Sequence, residues 1–160
     1  MTPVEITNPR EFHAAVLEAT QAAIAREART LLWVDPDFEA WPLGEAALLD
    51  ALTAWLRRPG RRLVLLAARW DRLERAHPRF VQWRPTWSHA VEAREPSDEK
   101  AQALPTLLLD DGPIVLELWE RDPLRGRAGR DPLAAATARD RIDATLQHAS
   151  AGWPVKPLGL

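Results

Sequence analysis

Residues 104–119 read LPTLLLDDGPIVLELW, two apolar runs flanking Asp111-Gly112. Aspartate followed by glycine tolerates the positive-φ geometry of a tight reversal, so the stretch predicts a β-hairpin with arms at 106–110 and 114–119. The rest of the chain must supply the sheet that this hairpin joins and the helices that cover it.

The upstream sequence supplies both. Thr30-Leu-Leu-Trp-Val34 and Leu63-Val-Leu-Leu66 are short continuous apolar runs, the pattern of strands buried on both faces. Between them Leu48, Leu52, Trp55 and Leu56 recur at helical spacing, in a helix expected to begin at Trp41-Pro42 and broken by Pro59-Gly60. Strand, helix and strand in succession imply a parallel pair with a right-handed crossover. Asn8-Pro9-Arg10-Glu11 is a helix start with cap, first-turn proline and capping-box glutamate. Phe12, Val16, Ala19 and Ala23 then form an apolar stripe running to about residue 28. Residues 69–89 read as helix in pieces broken near Pro78 and Pro85. A third strand is expected at 90–94, and a polar loop follows it. Residues 120–130, ERDPLRGRAGR, read as a flexible basic loop. Asp131-Pro132 opens a last helix with Ala135, Ala138, Ile142, Leu146 and Ala149 on its apolar side. Residues 151–160 read as a surface tail. The expectation is one α/β domain over residues 1–160, a mixed β-sheet flanked by helices.

Composition narrows the function classes. The net charge is −2, so nothing draws the chain as a whole to nucleic acid or an anionic membrane. There is no cysteine, which removes disulfides and thiolate metal sites. Lys100 and Lys156 are the only lysines, and the arginine and alanine richness is that of a GC-rich bacterial genome, so arginine clusters alone carry little weight. The first ten residues lack a signal-peptide core, and no apolar run approaches the roughly 20 residues that span a bilayer. A cytoplasmic location is expected, with no membrane contact. No GxSxG, HExxH or GK[ST] motif is present. Neither a cofactor nor a metal is expected.

Candidate ligand-binding residues follow from position. Asp35 and Asp37 lie just past a buried strand, where α/β proteins place ligand groups, although an Asp-Pro-Asp turn also explains them. Arg69, Arg79 and His89 come from the segment where arginines alternate with Trp70, Trp83 and Trp87, and Arg94 from the end of the strand expected after it. The plain alternative is that the aromatic residues pack while the arginines reach outward. Arg125 and Arg127 come from the expected basic loop.

The spacing Leu104-x-Thr106-x4-Asp111, on the first hairpin arm, resembles the His-x-Lys-x4-Asp motif of the phospholipase D superfamily. The order helix, strand, helix, strand, helices, strand, hairpin, helix is similar to one half of that fold. In the family the histidine is the nucleophile, the lysine binds the phosphate and the aspartate supports the chemistry. Two halves face each other within one chain or across a dimer. The resemblance places Leu104 at the histidine position and Thr106 at the lysine position, and only Asp111 matches. Leucine offers no nucleophile and threonine no positive charge, so phosphodiesterase activity by the family route is not expected. A second resemblance rests on DPDFEAWPL, HPRFVQWRPTWSH and the ending LGL. These are similar to an uncharacterised proteobacterial domain sometimes attached to acetyltransferases.

The sequence therefore predicts a pseudoenzyme: a non-catalytic phospholipase D-like binding, regulatory or dimerisation module for an anionic ligand or a partner protein. A homodimer or docking on another domain is the expected partnership, because a lone half exposes the face that its twin would cover. One alternative is an enzyme with a different site built on His89, with Asp35 or Glu92 as its partner. Another is single-stranded nucleic-acid binding through Trp83, Trp87 and the arginines, which the net charge disfavours.

Overall fold

The computed structural model describes residues 1–156 and has one eight-stranded mixed sheet with helices on both faces. The elements in order are β1 (Val4–Ile6), α1 (Pro9–Ala25), β2 (Thr30–Val34), α2 (Ala46–Leu56), β3 (Arg62–Leu66), α3 (Asp71–Ala76), α4 (Pro78–Trp83), a 3₁₀ turn (Arg84–Trp87), β4 (Val91–Glu95), α5 (Asp98–Ala101), β5 (Thr106–Asp110), β6 (Ile114–Arg121), β7 (Leu124–Arg130), α6 (Pro132–Gln147) and β8 (Ser150–Ala151). The sheet order is β1-β7-β6-β5-β2-β3-β4-β8. The β2–β3 and β3–β4 pairs are parallel, and the hairpin strand β5 joins β2 antiparallel.

Local chemistry explains the helix ends. The Asn8 side chain accepts from the Glu11 amide at 2.9 Å, and Glu11 Oε1 reaches back to the Thr7 amide at 3.0 Å, which satisfies amides that the first turn leaves free. Asp131 caps α6 through the Ala134 amide at 3.0 Å, with Pro132 behind it. The α2 helix begins later than expected, at Ala46, because Trp41 is buried in the core instead of opening the helix.

The two sheet faces are covered unequally. On one, Phe12, Val16 and Ala19 of α1, Leu48, Leu52 and Trp55 of α2, and Leu73 and Phe80 of α3 and α4 pack over Leu31, Trp33, Leu63 and Leu65. On the other, α6 alone lays Ala135, Ala138 and Ile142 over Leu32, Val34, Leu66, Leu107 and Leu109. Alternate residues of β2 go to opposite layers, as the pleat requires. Beside the start of α6, Trp119 of β6 is left 63% exposed and Leu133 of α6 is 78% exposed, and the two line one shallow hollow with Thr137 and Arg141.

Two expectations need correction. The basic stretch 120–130 is not a flexible loop. After a turn at Asp122-Pro123 it forms β7, hydrogen-bonded between β6 and β1. Its glycines serve close packing: a Cβ on Gly126 would lie 2.2 Å from the Glu117 carbonyl, and one on Gly129 would lie 2.9 Å from Pro3 Cα. Nor does residue 153 belong to a surface tail. Trp153 is buried and stacks on Trp70 at 5.1 Å with an interplanar angle of 7°. Part of the expected tail, and with it the LGL ending, lies in 157–160, outside the described residues. No helix among the described residues is long and apolar enough to cross a membrane.

Candidate functional site: a polar turn at the strand ends

The registers Val34↔Leu66, Leu66↔Arg94 and Val34↔Leu107 bring the C-terminal ends of β2, β3 and β4 to one end of the sheet, together with the start of β5. Asp35 leaves β2 there and turns the chain. Its Oδ2 accepts from the amides of Asp37 at 3.1 Å and Phe38 at 2.8 Å. This pair of bonds holds buried Phe38 at φ 58°, a left-handed conformation that a bulky side chain adopts only under constraint. The other Asp35 oxygen, Oδ1, accepts from the hydroxyl of Thr106, which is 1% exposed.

Arg121, at the end of β6, completes the cluster. Its Nε donates to Thr106 Oγ1 at 3.0 Å and its Nη2 to the Leu104 carbonyl at 2.8 Å. The β-bulge between Leu118 and Glu120 shifts the register before this arginine. On the other flank of the turn, Asp37 pairs with Arg72 at 3.2 Å and Arg69 at 3.9 Å. A continuous polar chain thus runs Arg121, Thr106, Asp35, Asp37, then Arg72 and Arg69. The carboxylates are spent on amides, a hydroxyl and guanidinium groups. Leu104 itself is buried in the apolar layer under α6.

Asp111 sits at the opposite end of β5. It accepts from the Arg29 amide at 3.0 Å and pairs with Arg26 at 3.2 Å. Its neighbour Asp110, with a wholly buried side chain, accepts from the amides of Gly112 and Ile114 and pairs with Arg26 at 2.8 Å. Burial opposes the Arg26 charge, but its bonds to Asp110 and Asp111 outweigh that and raise its pKa. These aspartates close the hairpin turn onto the end of α1.

Of the sequence candidates, the fold brings together Asp35, Asp37 and Arg69. Arg125 is exposed at the same end of the sheet, opposite Glu120. Arg127 is tied to Glu117 at 3.1 Å and to Asp131 at 3.7 Å. Arg94 donates to the Ala149 carbonyl at 2.6 Å, fastening β4 to the end of α6. Arg79 is exposed in the first turn of α4. His89 precedes β4 and lies level with residue 29, six residues along the strands from Asp35, or about 20 Å. The fold therefore does not form a His89–Asp35 pair, and Glu92 is engaged by Arg62. Trp83 donates to the Thr53 hydroxyl at 2.8 Å, and both it and Trp87 are partly buried against the core. Among the described residues, no group of three His, Asp or Glu is placed to hold a metal ion.

Arg72 and Arg121 are the site residues that sequence reasoning missed. Arg72 lies three residues after Arg69, a spacing that could have found it. Arg121 acts across a hairpin whose bulge the sequence does not announce.

The sequence matches no protein-family model and no curated protein. Solved structures do match. TrmBL2, described as an archaeal chromatin protein with a novel mode of DNA binding, superposes with a TM-score of 0.64 at 14% identity, over 95% of this chain and 54% of its own. The present chain thus spans about half the length of that protein. Nuc from Salmonella typhimurium, a phospholipase D family member, matches with a TM-score of 0.59 at 13% identity, over 96% of this chain and 100% of its own. NucT from Helicobacter pylori matches at 0.57 and 11% identity, over 94% and 99%. The fold is phospholipase D-like, an α/β domain with a mixed sheet between helices.

Proposed function

We propose that this chain is a non-catalytic binding or regulatory module on a phospholipase D-like fold. The observation that carries this reading is the Asp35–Thr106–Arg121 cluster. The place where the motif resemblance puts a nucleophile and a phosphate-binding lysine holds a buried leucine and a threonine already bonded to neighbouring groups. The half-exposed guanidinium groups of Arg69 and Arg72, together with Arg121 and Arg125, form a rim that suits an anionic ligand or an acidic partner surface. The single domain pairs with a second copy or docks on another domain, such as an acetyltransferase. The unevenly covered face, with Trp119 and Leu133 exposed, supports this pairing.

The test is titration with inorganic phosphate, read by calorimetry, alongside light scattering for mass. Saturable binding that weakens at least tenfold in Arg69→Ala/Arg72→Ala is expected, together with a dimer mass. A monomer that binds no anion would remove both parts of the reading. DNA binding is the second reading, favoured by the likeness to the chromatin protein over nearly the whole chain. It predicts an affinity for duplex DNA that falls steeply with salt.

A further inference from the structure

We propose that the cleft between α4, the 3₁₀ turn and the segment after β8 binds a small monocarboxylate with an apolar body, anchored by Arg84. The cleft holds about 600 Å³, within the range of small-molecule sites. Val81, Pro85 and Trp153 supply apolar wall, and Arg84, Glu74 and Lys156 are its charged groups.

Arg84 is the unusual member. It is only 6% exposed. Its Cζ lies 3.9 Å from the centre of the Trp153 ring, and Nη2 donates to the Trp153 carbonyl. Nε makes no hydrogen bond within the described chain, and no carboxylate of the described residues lies within ion-pairing distance. Burial lowers its pKa to about 10, against the opposing pull of Glu74, so it remains a cation at neutral pH. A guanidinium carries five N–H donors, and a buried cation with donors to spare costs free energy unless an anion meets it. A carboxylate fits that planar fork with two parallel bonds.

Charge sets the valence of the ligand. Arg84 and Lys156 against Glu74 leave one net positive charge, which suits a monoanion. Glu74 is held in place, its Oε1 accepting from Trp153 Nε1 at 2.7 Å. The Trp153 ring is fixed by stacking on Trp70 and Phe80, so the wall is ordered before any ligand arrives.

The experiment compares hydrocinnamate with its neutral amide, hydrocinnamide, on the full chain. The readout is the Trp153 indole N–H resonance, assigned by its loss in Trp153→Phe. Hydrocinnamate should shift that resonance saturably, and the amide should bind about tenfold to a hundredfold more weakly. Arg84→Lys should lose about tenfold in affinity, with folding checked by melting. Thr86→Trp fills the cleft from an exposed position and should abolish binding with Arg84 intact. Equal binding of acid and amide would overturn the proposal. So would no shift up to about 10 mM, or an equal response to inorganic phosphate.

Discussion

Replacing Asp35 with alanine tests whether this carboxylate is a turn-forming group or one free to meet a ligand. Asp35 accepts two backbone amides and one buried hydroxyl. Hydrogen bonds to a charged acceptor each contribute about 1.5–3 kcal/mol, and a buried donor left unmatched costs about 1–3 kcal/mol. Asp37 is half-buried and its amide can find water, whereas Phe38 and Thr106 are buried. Counting the two buried donors gives a loss of about 3 kcal/mol. Relaxation of the left-handed Phe38 also enters the cost. At about 2–4 °C per kcal/mol for a domain of this size, the melting temperature should fall by about 6–12 °C. Urea unfolding followed by tryptophan fluorescence measures the loss directly. Thr106→Val alone should cost about 1–2 kcal/mol, and the double variant should cost less than the sum, since the two groups bond each other. An Asp35→Ala protein within about 0.5 kcal/mol of the parent, the range of an ordinary surface change, would refute the reasoning.

Three further outcomes are expected. Gly126→Ala, which puts a Cβ 2.2 Å from the Glu117 carbonyl, should lose about 1–3 kcal/mol by urea unfolding, whereas Gly44→Ala, with nothing within 4 Å, should change stability little. Trp33→Ala, at a wholly buried position in β2, should cost about 3–5 kcal/mol in the same assay. The hydrogen bonds from Thr7 lower the Glu11 pKa below its ordinary 4.5, so the contribution of that cap is present above the ordinary value and is lost as pH falls through the lower folded one. Glu11→Gln should therefore flatten the acid limb of a melting-temperature profile, below the ordinary 4.5, and leave the alkaline limb unchanged.

Much of the fold was legible in local chemistry. The apolar runs at 30–34 and 63–66 are too short for helices and lie beside breakers, which marks them as buried strands, and both are strands. Asn8-Pro9 and Asp131-Pro132 mark two helix starts that the caps make explicit. The misreadings share a cause. Gly126 and Gly129 looked like flexibility because glycine in sequence does not reveal whether it frees the backbone or admits a neighbour. Trp153 lay among prolines and glycines, and only the fold brings Trp70 and Phe80 to it. The site was half legible. Asp35 and Asp37 were singled out by their position just past a buried strand, and Arg69 as the start of the arginine- and tryptophan-rich segment. Arg121 was not, because its reach to Thr106 depends on a bulge and an inter-strand register that no local pattern encodes.

The most direct test of the account is phosphodiester hydrolysis by the purified protein, measured with bis(p-nitrophenyl) phosphate and with single-stranded DNA. The account predicts no turnover above buffer and no acid-labile phosphoprotein. Turnover that persists through repurification and disappears in Thr106→Val, with the variant still folded, would contradict it.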